Sequence, residues 1–291
     1  MATIGQTQGE LRVLATVGGT LRLLVRRPFS VLAWGLFTTL VGFAPLSTIG
    51  LANIPSALAA AQAAAMAGEI TAPAALLAHL AAAVVLAGLL TMLVFAIVGA
   101  AIYRAVLEPD NRGLFHMKFG RRELGLVGHY LAQTVLWAGL IVVVLIPTAW
   151  VIGLIANTAG RGLAVLIAII LALGVGYGAI IVGLRLFLGG PITFDRAEFG
   201  LVSSWGVTRD RLGPILGVAV VMGGLLWLWS YLLLAVAHLT LIGAATEWAA
   251  GPTIERRAEL VAILSVYLGV LRVLVAAPPA VICREILPEP R

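Results

Sequence analysis

The chain has 291 residues, 61% of them hydrophobic and only 11% charged, with a mean hydropathy of +1.07 and a formal charge of +6. An ordinary soluble domain carries about 25% charged residues, so this composition excludes a water-soluble globule and points to a bilayer as solvent. The basic residues are dispersed between apolar runs and are not interleaved with stacking aromatics, so no nucleic-acid partner is expected.

Residues 1–28 read as an interfacial N-terminal segment. Leu11, Leu14, Val17, Leu21, Leu24 and Val25 recur at helical spacing, while Arg12, Thr16, Thr20, Arg26 and Arg27 gather on another face. Gly18 and Gly19 interrupt this stripe and Leu23 falls on its polar side, so a loosely structured basic leader is the competing reading. The segment mixes arginines with apolar residues and lacks a small-residue cleavage site after a short apolar core. The first span is therefore expected to stay as an uncleaved anchor.

Three hairpins follow. The first, 29–107, holds candidate spans at 29–51 and 80–107. They are joined by an Ala-rich connection, 52–79, that lacks Lys and Arg and places Pro55 and Pro73 around one short outer helix. The second, 121–188, holds spans at 127–156 and 162–188. An elbow at 189–212 reads as a helix lying on the membrane, with Trp205 as anchor and Arg196, Arg209 and Arg211 as headgroup contacts. The third hairpin, 213–285, holds spans at 213–243 and 260–283, with Trp248 in its outer loop, 244–259. These runs far exceed the roughly 9–11 residues of a barrel strand, and an unpaired backbone is costly in lipid. The expected fold is all-α: a polytopic membrane protein of about six transmembrane helices in one integral membrane domain.

Basic residues fall mainly on one side. Arg12, Arg22, Arg26, Arg27, Arg104, Arg112, Lys118, Arg121, Arg122, Arg185, Arg196, Arg209, Arg211, Arg272, Arg284 and Arg291 lie there, against only Arg161, Arg256 and Arg257 opposite. By the positive-inside rule both termini are cytoplasmic, which suits an even number of spans. Lys118 is the only lysine, and the abundance of Ala and Gly suggests a GC-rich bacterial genome, hence a bacterial inner membrane.

The even spans end alike. Arg104 precedes Pro109, Arg185 precedes Pro191 and Arg272 precedes Pro278, at separations of five, six and six residues. One explanation is arginine snorkelling to the headgroups, followed by proline as helix stop. The sharper one is that these arginines lie inside the apolar region and take lipid phosphate through paired hydrogen bonds. Membrane lipids, anionic ones above all, are then the expected partners, beside a membrane protein partner.

Chemistry is sparse. His79, His116, His129 and His238 form no two-histidine metal site and no nucleophile–base pair, so no enzyme activity, metal or cofactor is expected. Cys283 is the only cysteine, which excludes an intrachain disulfide. No acidic residue lies within a span. Pro147, Gly174, Gly176 and Gly178 are candidate helix breaks, and Gly139, Gly153, Gly217, Gly223 and Gly224 permit close helix contact.

The stretches Tyr103-Arg104-Ala105-Val106-Leu107-Glu108-Pro109, Leu184-Arg185-Leu186 through Pro191, and Ser204-Trp205-Gly206-Val207-Thr208-Arg209 resemble uncharacterised multi-pass inner-membrane proteins of Alphaproteobacteria. More distantly they are similar to YciC-type proteins and to the membrane domain of some glycerophosphodiester phosphodiesterases. The resemblance implies an all-helical membrane fold and involvement with lipid or the envelope, and no catalytic residues. The expected function is a non-enzymatic, lipid-interacting or scaffolding component. The alternative, a transporter of a small solute or lipid, needs a polar cavity containing Arg185, Arg272 or Tyr177.

Overall fold

A computed structural model describes residues 13–43, 71–109, 114–158, 160–196, 198–242 and 254–286, with the single positions 59, 63 and 66. Among these residues all regular structure is helical. In chain order the helices are α1 (Val13–Arg26), α2 (Pro28–Phe37, continued by a π-helical turn, Thr38–Phe43), α3 (Thr71–Leu107), α4 (Arg121–Thr158), α5 (Arg161–Leu186), α6 (Gly189–Arg196), α7 (Gly200–Val207), α8 (Leu212–Ile242) and α9 (Ile254–Ile286). A 3-10 turn, Leu114–His116, lies in the linker between α3 and α4.

Five stretches are long and apolar enough to cross a bilayer: Val85–Leu107, Arg121–Thr158, Gly162–Arg196, Leu212–Ala235 and Val261–Ile286. The chain is therefore an all-α, multi-pass membrane protein. The span expected at 29–51 is apolar over Pro28–Gly42, and its remainder lies outside the described residues. So do most of the outer connections expected at 52–79 and 244–259, including Glu69 and Trp248, although α3 and α9 take in the last residues of each. The side chains of His79 and His238 are likewise outside them.

Proline stops only one of the even spans. α3 ends at Leu107, before Pro109, whereas Pro191 sits in the first turn of α6 and α9 passes through Pro278 and Pro279 to Ile286. A proline near a helix start removes an amide that has no intrahelical partner there. Inside a membrane helix, neighbouring groups take over the freed carbonyls. α4 and α5 similarly run unbroken through Pro147 and through Gly174, Gly176 and Gly178, correcting the expected breaks.

The chain forms two compact units. One is built on Gly19–Phe119 and Met222–Ala277. Its core includes Trp34, Val94, Val98, Ile102, Leu268 and Val273, with Ala96, Ala100 and Ala101 letting the α3 backbone approach its neighbours. A Cβ at Gly35 would strike the carbonyl of Ser265, and one at Gly269 the carbonyl of Val31, so α2 and α9 touch backbone to backbone. Thr38 and Thr39 close their hydroxyls onto the carbonyls of Trp34 and Gly35 at 2.8 and 2.9 Å, and Ser265 reaches Thr39 at 3.2 Å. Hydroxyls in an apolar layer need such partners.

The other unit is built on Gly120–Val221, with the chain's two ends up to Gly18 and from Pro278. Its core, Leu126, Leu188, Ile192, Phe194, Ile215, Ile282 and Cys283, gathers at the elbow end. None of the most apolar stretch of α4, or of the span containing α5, is buried by the chain. The glycines expected at close contacts are mostly elsewhere: a Cβ at Gly139, Gly153, Gly223 or Gly224 would meet nothing within 4 Å, and only Gly217 has a tight neighbour, Val13 at 3.1 Å. Sequence spacing shows which positions permit contact, whereas tertiary packing decides which are used.

Candidate lipid-facing site at the elbow

The two short helices flanking the spans have their faces reversed relative to a helix in water. α1 continues through Gly18 and Gly19, and its buried side chains are Thr16, Val17, Thr20 and Leu23. The stripe carried by Leu14, Leu21 and Val25 is 81%, 39% and 80% exposed, with Arg22 and Arg26 exposed beside it. Leu11 and Arg12 lie outside the described residues. Leu23, the outlier of the sequence pattern, thus belongs to the buried face.

The elbow is two helices, not one. Its hinge is a seam of α4, α6 and α7. His129 of α4 is 1% exposed and lies against Gly189, where a Cβ would collide with the imidazole. The Thr193 hydroxyl donates to the Gly189 carbonyl at 2.7 Å, accepts the Gly200 amide at 2.9 Å and lies 3.3 Å from His129 Nδ1. A Cβ at Gly200 would strike the Gly189 carbonyl, so the α6–α7 crossing needs glycine at 200, while the α4 contact needs it at 189. Arg122 places its guanidinium over the buried Phe194 ring at 5.3 Å.

This seam sets the rotation of α7. Ser204 and Thr208 face inward, and their hydroxyls reach the Arg185 carbonyl at 2.6 and 3.4 Å, closing the end of α5. Phe199, Val202 and Trp205 consequently point outward at 53%, 80% and 46% exposure. Arg185 lays its guanidinium over the Trp205 ring at 4.9 Å and donates Nη1 to the Trp205 carbonyl at 3.3 Å. Among the described residues that guanidinium has no other hydrogen-bond partner. Arg196 and Arg209, both exposed, bracket α7. Four predicted residues, Arg185, Trp205, Arg196 and Arg209, therefore share the elbow, and the first two touch.

Arg104 and Arg272 belong to the other unit and differ from Arg185. Arg104 is 5% exposed and donates Nη1 to the His116 carbonyl at 3.0 Å, so it is turned inward and holds the linker, where a headgroup was expected as its partner. That linker is further gripped by Trp34, whose indole N–H meets the Phe115 carbonyl, and by Arg27, which contacts the His116 ring and the Pro109 carbonyl. Phe115 and His116 both adopt left-handed backbone, with φ of 50° and 61°. Arg272 stacks its guanidinium 3.1 Å from the Phe95 ring centroid. The Arg27–His116 pair, 89 positions apart, had no signal in the sequence.

A groove of about 500 Å³ runs between α4 and α5, lined by Leu140, Val144, Leu171, Gly174, Gly178 and Val182 among others. Tyr177 is 69% exposed and is not part of its lining. Among the described residues no three His, Cys, Asp or Glu side chains are grouped to hold a metal ion. No protein family, curated protein or solved structure matches this chain.

Proposed function

We propose that the protein works in a bacterial cytoplasmic membrane, both termini inside, as a non-enzymatic lipid-interacting or scaffolding component. The observation that carries this reading is the reversal of α7 and its caps: Ser204 and Thr208 are buried while Phe199, Val202 and Trp205 face out. An apolar face turned outward is stable only where hydrocarbon or headgroups receive it, and a tryptophan flanked by arginines suits that boundary. The elbow's own charges balance, Arg196, Arg209 and Arg211 against Asp195, Glu198 and Asp210, so apolar burial supplies its hold on the bilayer. α1 adds the same reversed pattern with arginines and no acid between Val13 and Arg26, which favours anionic lipid by about 1 kcal/mol per basic residue near the leaflet. The resemblance to envelope membrane proteins fits this role.

The test is a spin label at Val202→Cys in the Cys283→Ala background, reconstituted into lipid. The label is expected to relax faster with oxygen than with a water-soluble nickel chelate. The opposite order places α7 in water and overturns the reading.

A further inference from the structure

We infer that Arg185 and the α4–α5 groove together form a site for one phospholipid molecule, its phosphate on Arg185 and one acyl chain in the groove. This rests on the lipid-facing reading of the elbow and specifies what is bound there. Leu171, Gly174, Gly178, Val182 and Arg185 succeed one another by three or four residues, which places them on one face of α5. The groove therefore leads along the helix to the guanidinium, one turn beyond Val182.

Its dimensions match one leaflet. From Ile170 to Val182 the lining of α5 extends for about 18 Å at roughly 1.5 Å per residue, against about 15 Å for half of a 30 Å hydrocarbon layer. Two glycines deepen the wall, and a Cβ at either Gly174 or Gly178 would meet nothing within 4 Å, so the chain itself does not fill the space. At the end of the groove, Arg185 is positioned by stacking on Trp205 and among the described residues uses only Nη1, on a carbonyl, which leaves its remaining N–H groups to pair with phosphate oxygens. A free phosphate ion would satisfy the guanidinium alone, and a free fatty chain the groove alone. A phospholipid satisfies both.

The protein is purified in mild detergent, exchanged into phosphatidylglycerol and phosphatidylethanolamine, and stripped by dilution while native mass spectrometry counts retained lipid. One lipid per chain is expected to persist. Arg185→Leu and Gly178→Leu should each weaken its retention about tenfold, equivalent to roughly 1.4 kcal/mol. Since a Cβ at Gly178 meets nothing within 4 Å, its variant is expected to fold as the parent, which an unchanged thermal transition checks; Arg185→Lys guards against misfolding of the leucine variant and should retain lipid only in part. Inorganic phosphate should not compete. Retention equal in all variants overturns the site, as does loss in Arg185→Leu with full retention in Gly178→Leu, which marks a phosphate-only contact. If the Val202 label still reports lipid in either case, the failure is that of the site and not of the elbow's membrane position.

Discussion

Trp34 donates its indole N–H to the carbonyl of Phe115, 81 positions away, at 2.9 Å. This bond holds a backbone that two side-chain-bearing residues, Phe115 and His116, adopt in the left-handed region, at about 1–2 kcal/mol each. Trp34→Phe keeps an aromatic ring in the buried slot, removes the donor and, because phenyl is smaller than indole, also leaves space there. It should lower stability by about 1–3 kcal/mol, because the Phe115 carbonyl loses its donor and the slot loses packing, and a thermal transition in detergent checks the value.

Backbone contact between α2 and α9 makes a sharper prediction. Gly35→Ala and Gly269→Ala push a methyl into the carbonyls of Ser265 and Val31, and overpacking of this kind costs about 1–3 kcal/mol. Gly139→Ala, where a Cβ meets nothing, serves as the control and should leave the transition unmoved or slightly raised. Equal behaviour of all three variants contradicts the described α2–α9 approach.

At the elbow, Thr193→Val keeps the shape and deletes a hydroxyl that both donates to Gly189 and accepts from Gly200. The orphaned Gly200 amide should cost about 1–3 kcal/mol. The fluorescence of Trp205 ought to change as well, because α7 loses the bond that fixes its rotation. A stability loss without any local spectral change argues that the seam does not orient α7.

Orientation is checked by fusions. Alkaline phosphatase placed after Pro109 or after Arg211 should be inactive, and a fluorescent protein at the same points should fold and emit, since those turns are rich in basic residues. Active phosphatase at either point reverses the assignment of sides.

Composition and run length made the membrane helices legible, because twenty-odd apolar residues in succession have few other stable fates. The elbow and its tryptophan were legible for a related reason: Trp205 among Arg196, Arg209 and Arg211 is an interfacial pattern. What local spacing could not reveal was the difference between Arg104, Arg185 and Arg272. Each precedes a proline by five or six residues, yet Arg104 takes a carbonyl 12 positions on, Arg185 one 20 positions on, and Arg272 an aromatic ring. The partners of Arg104 and Arg185 are set by how the following linker folds back, and that of Arg272 by the packing of α9 on α3. The division of the elbow into α6 and α7 was also hidden, since it depends on Gly189 and Thr193 meeting His129, 60 or more positions earlier in the chain, and on Gly200 closing onto Gly189 and Thr193.

α4 is 38 residues long, about 57 Å at roughly 1.5 Å per residue, nearly twice the 30 Å of hydrocarbon it crosses. It is clamped where His129 meets Gly189 and Thr193, and bare along its most apolar stretch. Such a hairpin is a lever hinged at one membrane surface. Thinning of the surrounding bilayer is absorbed by leaning of α4 and α5 and leaves the clamp intact, so the elbow keeps its geometry while the far tip of the hairpin follows the thickness of the lipid around it.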